Sequence, residues 1–233
     1  MCIRDRWILR PEPPRRVTRL SLSVSPDLTA DSGVSKLAIS RDGSRIVYDT
    51  NSGLYVRNMD QLSPTLLPGT ESADGPFFSP DGEWVGFHDR STLKKVRAGG
   101  GAVVTLCDAE VVWGADWGED GTILFGRRGI GVLRVSENGG TPELVASTED
   151  LGANAYGPRA LPGTNAWLFT RVEAGIGRTD AAVAVYVPNA GETRVLIEGG
   201  QDARYLHSGH LVYIQDDALF AAREQDITAH HDC

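Results

Sequence analysis

The sequence lacks the long apolar runs that mark membrane proteins and secreted precursors. Its longest purely apolar stretch, residues 181–187, has seven residues, whereas a membrane-spanning helix needs about 20. Residues 1–10 contain no apolar run of the length that a signal peptide requires. No segment shows a convincing helical period either, so neither a membrane helix nor a helical domain is predicted.

Cysteines and excess positive charge are also scarce. The three cysteines, Cys2, Cys107 and Cys233, are odd in number and show no motif spacing, which argues against a disulfide framework and a zinc site. Cys107 ends a predicted strand and is expected to be a small buried hydrophobe. With 23 Lys and Arg against 31 Asp and Glu, the net charge is −8, which argues against a nucleic-acid partner.

Sequence motifs of the common catalytic sites are missing. There is no Gly-x-Ser-x-Gly elbow, His-Glu-x-x-His zinc helix, Walker loop or protein-kinase signature. Residues 91–94 formally match Ser-x-x-Lys, but that pattern needs a helix and here it spans a predicted hairpin into a strand. Residues 129–131 lack the third glycine of a dinucleotide site and are predicted to form a hairpin turn. We therefore predict no catalytic residues and no cofactor.

The histidines do not form a predicted metal site. Residues 230–233 contain metal-ligating residue types, yet adjacent ligands at a frayed chain end rarely build a closed site. The other three histidines, His88, His207 and His210, lie near predicted turns and are expected at the surface.

The chain does contain one pattern that is repeated five times. A turn is followed four or five residues later by an aromatic residue that closes a short apolar run. The turn anchors are Gly43, Gly82, Gly121, Thr164 and Gly209, and the aromatics are Tyr48, Phe87, Phe125, Phe169 and Tyr213. Anchor spacings of 39, 39, 43 and 45 residues match the length of a four-stranded propeller blade.

Each repeat contains short β-rich runs separated by turn residues. In residues 79–82, Ser-Pro-Asp-Gly, the proline presets φ and the Asp-Gly pair supports a tight turn. We predict an all-β fold, a β-propeller of about five four-stranded antiparallel blades in an incomplete or open ring. A β-sandwich with fortuitous turn spacing is the alternative.

The repeats divide the chain into three parts. Residues 1–16, within a stretch of 20 residues that carries six arginines, are interpreted as a proline-rich linker with an artefactual leader. Residues 224–233 are interpreted as a disordered tail, and residues 17–223 as the propeller. The predicted blades lie near residues 36–70, 75–108, 113–146, 156–198 and 203–223. The last repeat has no obvious fourth strand, and residues 19–24 are predicted to close the ring in its place.

Residues 17–223 resemble the TolB-like, WD-repeat-related propellers of bacteria. The hallmark of these propellers is a Ser-Pro-Asp-Gly turn before a strand. Residues 79–82 match it fully, and residues 40–43 and 118–121 match it in part. Propellers of this kind generally have six or seven blades, whereas this chain supplies barely five.

Several segments resemble one subgroup more closely, the C-terminal propeller of bacterial receptor-like Ser/Thr protein kinases. These segments are residues 57–60, 66–71, 76–82, 94–96, 105–108 and 117–123. The resemblance implies an extracytoplasmic sensor domain, preceded by a short Pro/Arg linker, a transmembrane helix and a cytoplasmic kinase. The basic residues 10–19 look like that linker, while the kinase and the helix are absent here.

Aligning the first strands by their turn anchors gives two columns of residues. One column is mostly large and apolar and is expected to pack between blades: Ile39, Phe78, Trp117, Ala160 and Tyr205. The neighbouring column is Ala38, Phe77, Asp116, Arg159 and Arg204. Because strand residues alternate between faces, the second column is expected to point away from that packing, toward a central channel.

Asp116, Arg159 and Arg204 are therefore the candidate binding residues. One Asp with two Arg around a narrow channel suits an acidic peptide terminus or another small anion. The alternative is that these charges simply line a water-filled channel. Two longer loops, residues 148–156 and 173–180, are expected to shape one rim of the channel.

Three functions remain open for such a propeller. The first is a non-catalytic interaction or ligand-sensing module, in the kinase context an extracytoplasmic sensor that contacts a membrane only through an upstream helix. The second is the substrate-gating propeller of a prolyl-oligopeptidase-type serine hydrolase, and the third is a free TolB-like periplasmic interaction protein. The expected partner is a protein, a peptide or a small ligand, and any kinase or hydrolase domain would lie outside this chain.

The absence of catalytic motifs gives a direct prediction. The purified chain is expected to show neither phosphoryl transfer nor ester hydrolysis, measured with radiolabelled ATP and with a chromogenic ester. A rate above that of buffer that co-purifies with the protein would refute the prediction.

Overall fold

The computed structural model describes residues 35–173, 181–206 and 208–223. The predicted linker at residues 1–16, the closing strand at residues 19–24 and the tail at residues 224–233 lie outside the described residues. The same holds for His207 and for all but the first residue of the predicted loop 173–180.

The described residues form five antiparallel sheets, each a meander whose strands pair in chain order. Blade 1 contains β1 (Leu37–Ile39), β2 (Arg45–Thr50), β3 (Gly53–Asn58) and β4 (Thr65–Leu66). Blade 2 contains β5 (Ala73–Phe78), β6 (Trp84–Asp89), β7 (Thr92–Arg97) and β8 (Val104–Asp108). Blade 3 contains β9 (Val112–Trp117), β10 (Thr122–Arg127), β11 (Gly131–Ser136) and β12 (Glu143–Ser147).

The last two blades follow the same plan. Blade 4 contains β13 (Asn154–Ala160), β14 (Trp167–Val172), β15 (Ala182–Val187) and β16 (Glu192–Glu198). Blade 5 contains β17 (Gln201–Leu206), β18 (His210–Gln215) and β19 (Ala218–Arg223), and within the described residues it has no fourth strand. The prediction of an all-β propeller of about five blades in an open ring is confirmed.

One short helix interrupts the pattern of strands. α1 (Thr148–Leu151) begins after Ser147, whose side chain accepts a hydrogen bond from the backbone N–H of Asp150 while the Asp150 carboxylate accepts one in return. This reciprocal cap stabilises a helix start. The predicted loop at residues 148–156 is therefore wrong, because this capped turn and the start of β13 occupy it.

The core consists of apolar layers between successive blades. In β14, Trp167 and Phe169 pack against blade 3, while Leu168 between them packs against blade 5. Both faces of the strand are buried, each fully buried side chain contributing about 1.5–3 kcal/mol to stability.

The repeated aromatics show the direction of this packing. Phe87, Phe125 and Phe169 are almost fully buried, each against the blade that precedes its own. Tyr48 holds the same place in blade 1 but is only half-buried and stacks on Tyr55 of its own blade. Within the described chain no blade precedes blade 1, so its outer face remains uncovered. This uncovered face of blade 1 marks one end of the open ring.

The turns after the inner strands share one hydrogen-bond network. The Ser79 hydroxyl donates to Asp81 at 2.5 Å and accepts from the backbone N–H of Trp84 at 2.9 Å. Ser40 and Asp42 repeat this arrangement in blade 1, and the Ser40 hydroxyl is the main cause that lowers the pKa of Asp42 to about 2. The matched turn chemistry explains why the Ser-x-Asp-Gly pattern recurs in sequence.

Among the described residues, no helix has the length and the apolar character that crossing a bilayer requires.

Replacing Ser79 by Ala tests the turn network. The substitution removes both side-chain bonds of this buried serine, so we expect a loss of about 2 kcal/mol in unfolding free energy, measured by urea denaturation. Ser63→Ala in the exposed loop before β4 is the matched control and should change stability by less than about 0.5 kcal/mol. Equal midpoints for the two variants would contradict the assignment.

Candidate functional site

The five inner strands surround a central pocket of about 270 Å³. Each blade contributes residues to its wall, from β1, β5, β9, β13 and β17. The predicted binding residues Asp116, Arg159 and Arg204 all lie along this pocket. The structure thus places residues from three different repeats in one cavity.

A repeated bulge positions these side chains. The pairing of each inner strand from blade 2 to blade 5 shifts register near its start. In each case the residue two positions before the pocket residue has a left-handed backbone: Gly75, Gly114, Gly157 and Asp202, with φ of 60°, 82°, 53° and 48°. A bulge of this kind re-aims the side chains that follow it.

The bulges also bring neighbouring blades into close contact. A Cβ atom on Gly114 would lie 2.8 Å from Cα of Gly157, so only glycine fits between these two inner strands. Gly75 and Gly157 are each followed by a proline in sequence. That repeated Gly-Pro pair is a sequence signal for two of the four bulges, whereas Gly114 and Asp202 are each followed by alanine.

Asp116 links blade 3 to blade 4. Its carboxylate accepts a hydrogen bond from the backbone N–H of Ala160 at 3.0 Å and lies 3.4 Å from the guanidinium of Arg159. Arg159 also donates to the carbonyl of Ala115 at 3.1 Å. The Nε atom of Arg159 is buried without a hydrogen-bond partner in the described structure.

Arg204 lies in the neighbouring blade and forms a more exposed ion pair. Its guanidinium is 3.4 Å from the carboxylate of Asp202, and both side chains are 40% exposed. The nearby charge of Arg159, followed by burial, lowers the pKa of Arg204. Two arginines therefore repel each other across the wall of the pocket, and the carboxylates beside them offset this repulsion only in part.

Arg41 is a third cation of the pocket that the column alignment did not identify. It extends from the turn after β1 to Glu119 in blade 3, with an N–O distance of 2.6 Å, and donates to the carbonyl of Trp117 at 3.4 Å. Arg41 and Glu119 hold equivalent positions in the turns of two repeats, where Pro80 stands in blade 2. The opposite charges of Arg41 and Glu119 at equivalent turn positions were the sequence signal from which this ion pair could have been predicted.

The predicted separation of the two columns is wrong at three residues. Ala38, expected to point away from the packing, is 9% exposed and belongs to the core between blades 1 and 2. Ile39, expected to pack between blades, is 54% exposed, because its layer faces the preceding blade and blade 1 has none in the described chain. Phe77, expected to point away from the packing, is 4% exposed and lies edge-on to Trp117 at 6.3 Å. Gly86 leaves the space into which the Phe77 ring packs.

His88 was expected at the surface, and this prediction is wrong. Its side chain is 12% exposed, and Nδ1 lies 2.9 Å from the backbone carbonyl of Asp74. Lys36 bridges Asp49 and Asp74 beside it, at 3.1 and 2.7 Å, where blades 1 and 2 meet. Burial lowers the pKa of His88, so the ring is neutral at pH 7. His210 is half-buried beside Ser208.

The remaining sequence motifs have structural explanations. Ser91 lies in a hairpin turn and Lys94 on β7, where it forms an ion pair with Asp89 at 2.7 Å. Residues 129–131 join β10 to β11, as predicted. Within the described ranges, no group of His, Cys, Asp and Glu is arranged to hold a metal ion.

Cys107 behaves as predicted from its position at the end of a strand. It is a buried free thiol, and desolvation, the main cause, raises its pKa to about 11. It therefore contributes packing rather than reactivity.

No protein-family model and no curated protein matches this chain. Solved structures do match it. A protein assigned as TolB from Agrobacterium tumefaciens has a TM-score of 0.64 and 14% sequence identity, covering 78% of this chain and 70% of that one. A gluconolactonase from Xanthomonas campestris has a TM-score of 0.62 and 13% identity, covering 79% of this chain and 70% of that one.

A prolyl endopeptidase structure matches with a TM-score of 0.51 and 14% identity, over 82% of this chain but only 34% of its own. At these identities the matches show the fold alone. The chain has the β-propeller architecture of these structures. Because the same architecture occurs in an endopeptidase and a gluconolactonase, it does not decide between enzyme and binding module.

Two substitutions of Asp116 separate its two contacts. Asp116→Ala leaves the Ala160 N–H and the Arg159 guanidinium without this acceptor, so we expect a loss of about 2 kcal/mol in unfolding free energy. Asp116→Asn keeps an oxygen for the N–H and should cost about half as much. Urea denaturation measures both, with Asp60→Ala in an exposed loop as the control. Equal losses for Ala and Asn would contradict the backbone contact.

Proposed function

We propose that this chain is a non-catalytic propeller module that binds a ligand in its central pocket. The observation that carries the proposal is the charge of the pocket wall. Three arginines, Arg41, Arg159 and Arg204, line the pocket together with one carboxylate, that of Asp116, in a chain whose net charge is −8. The carboxylates paired with Arg41 and Arg204 belong to Glu119 and Asp202, which do not line the pocket. Positive potential is concentrated where an acidic protein has its concave site, which favours an anionic ligand.

The contacts of two of these arginines leave both of them able to bind a further anion. Arg159 and Arg204 have side chains 18% and 40% exposed, and each lies 3.4 Å from its carboxylate. A charge-assisted N–O pair is normally about 2.7–2.9 Å, so neither ion pair is tight. An anionic ligand would supply the shorter contacts that these two ion pairs lack.

The cellular context of the module is proposed from the sequence. Its resemblance to the propellers of receptor-like Ser/Thr kinases supports an extracytoplasmic sensor whose ligand state is transmitted to a kinase. A kinase domain and an apolar run of about 20 residues encoded upstream would support this context. Their absence from the flanking genomic DNA would refute it and leave the binding function untouched.

A gating propeller is the second candidate. The similarity to the prolyl endopeptidase structure favours it, because the central pocket would then lie on the path of a peptide substrate. A hydrolase domain with a Gly-x-Ser-x-Gly motif encoded beside this chain would support gating. A free TolB-like interaction protein remains the third candidate, favoured by the similarity to the A. tumefaciens structure.

The binding function has a direct test. Small anions and short peptides are screened for a rise in melting temperature, first with wild-type protein and then with the double variant Arg159→Gln/Arg204→Gln. We expect at least one ligand to stabilise the wild type and not the double variant. Arg194→Gln on the exposed face of β16 is the matched control and should behave as wild type.

Two results would count against the binding function. One is a screen in which no compound stabilises the wild type. The other is stabilisation of equal size in the double variant, which would place the ligand outside the central pocket.

A further inference from the structure

We propose that the central pocket recognises the free carboxyl terminus of a peptide whose last residue is apolar. The inference rests on the proposed binding function and names the ligand class of the same site. Arg159 and Arg204 face an anionic group, and exposed apolar side chains beside them face the terminal side chain.

The cationic part of the pocket suits one carboxylate. Arg159 on β13 and Arg204 on β17 come from adjacent blades, so a single anion between them contacts both. The charge of Arg159 is the main cause that lowers the pKa of Arg204, in agreement with their positions on the wall of one pocket. A carboxylate bound between them relieves that repulsion, and the planar fork of arginine matches the geometry of its two oxygens.

The pocket also has an apolar part. Ile39 and Leu206 are 54% and 43% exposed and both line the pocket. They belong to blades 1 and 5, the two ends of the open ring, where no further blade of the described chain covers them, so both side chains are available to a ligand. Phe78 and Tyr205 extend the same wall. Exposed apolar side chains at a concave site indicate an apolar ligand group, here one that lies beside the anionic group.

The size of the pocket favours a chain end. A volume of about 270 Å³ lies just below the range of about 300–1,000 Å³ that holds drug-sized ligands. A space of this size is about that of one amino-acid residue, and we expect a chain end to occupy it. A terminal residue that combines a carboxylate with an apolar side chain fits both parts of the wall.

Asp116 adds selectivity against a second negative charge. Its carboxylate is held on Arg159 and on the backbone N–H of Ala160, so it stays in the pocket and repels an acidic terminal side chain. Asp116 thereby acts as a positioning residue for Arg159. The pocket is expected to prefer Leu or Val over Asp or Glu at the last position.

The test compares peptides that differ only at the carboxyl end. Fluorescein-labelled Gly-Ser-Ala-Leu is measured by fluorescence anisotropy against the full chain as the free acid, as the amide, and with Asp in place of Leu. We expect the amide and the Asp peptide to bind at least about tenfold more weakly than the acid, because each loses a charge-assisted contact or gains repulsion.

Protein variants supply the matching comparison. Arg204→Gln is expected to weaken the free acid about tenfold, whereas the amide should change by less than about twofold. Arg204→Lys keeps the charge without the fork and should recover part of the loss. Ile39→Ser should weaken the Leu peptide and leave a Gly-terminated peptide unchanged. Arg194→Gln is the control, and melting curves verify that every variant folds.

The outcomes separate this inference from the proposed function. Equal binding of acid and amide, with loss in the double arginine variant, overturns the carboxyl-terminal inference and keeps a pocket ligand. If inorganic phosphate binds and displaces every peptide regardless of its last residue, the site is a general anion site. That result also overturns the carboxyl-terminal inference. Absence of binding by all peptides and by phosphate overturns both.

Discussion

The structure depends on one constraint: a blade has two apolar faces and can bury them only against its neighbours. In β14 the alternation of Trp167, Leu168 and Phe169 divides the strand between the layers on either side. This packing brings the inner strands side by side, and the pocket forms where they converge. The same constraint explains the half-buried Tyr48, whose layer has no preceding blade in the described chain.

The bulges in the inner strands determine which side chains face the pocket, and blade packing alone does not require them. The bulges at Gly75, Gly114 and Gly157 weaken the ladder locally and place different side chains at one level. At the position that follows the bulge, Phe77 packs into the core, whereas Asp116 and Arg159 place charged groups at the pocket. One backbone geometry therefore serves packing in one blade and electrostatics in the next, which is how a repeat scaffold acquires a site without changing its fold.

Much of the fold could be predicted from sequence because the turns that define each blade have a recognisable local sequence. The Ser-x-Asp-Gly network at Ser40 and Ser79 is local, so residue types at fixed spacing are enough to identify it. The orientation of the inner-strand residues was harder to predict. Simple alternation fails at a bulge, and it placed Phe77 on the wrong face. Arg41 was missed because its partner Glu119 lies two blades away, and the arrangement of the blades rather than the local sequence determines that contact.

Position 202 shows how such a site is tuned. Three blades place glycine at the bulge, but blade 5 places Asp202 there with φ of 48°. A non-glycine residue in this conformation costs about 1 kcal/mol, less for Asp than for most residues. The carboxylate offsets that cost by pairing with Arg204. The side chain of Asp202 therefore affects both the backbone strain and the charge of the pocket. An Asp202→Gly substitution would remove the strain of a non-glycine residue at positive φ and would also leave Arg204 without this carboxylate.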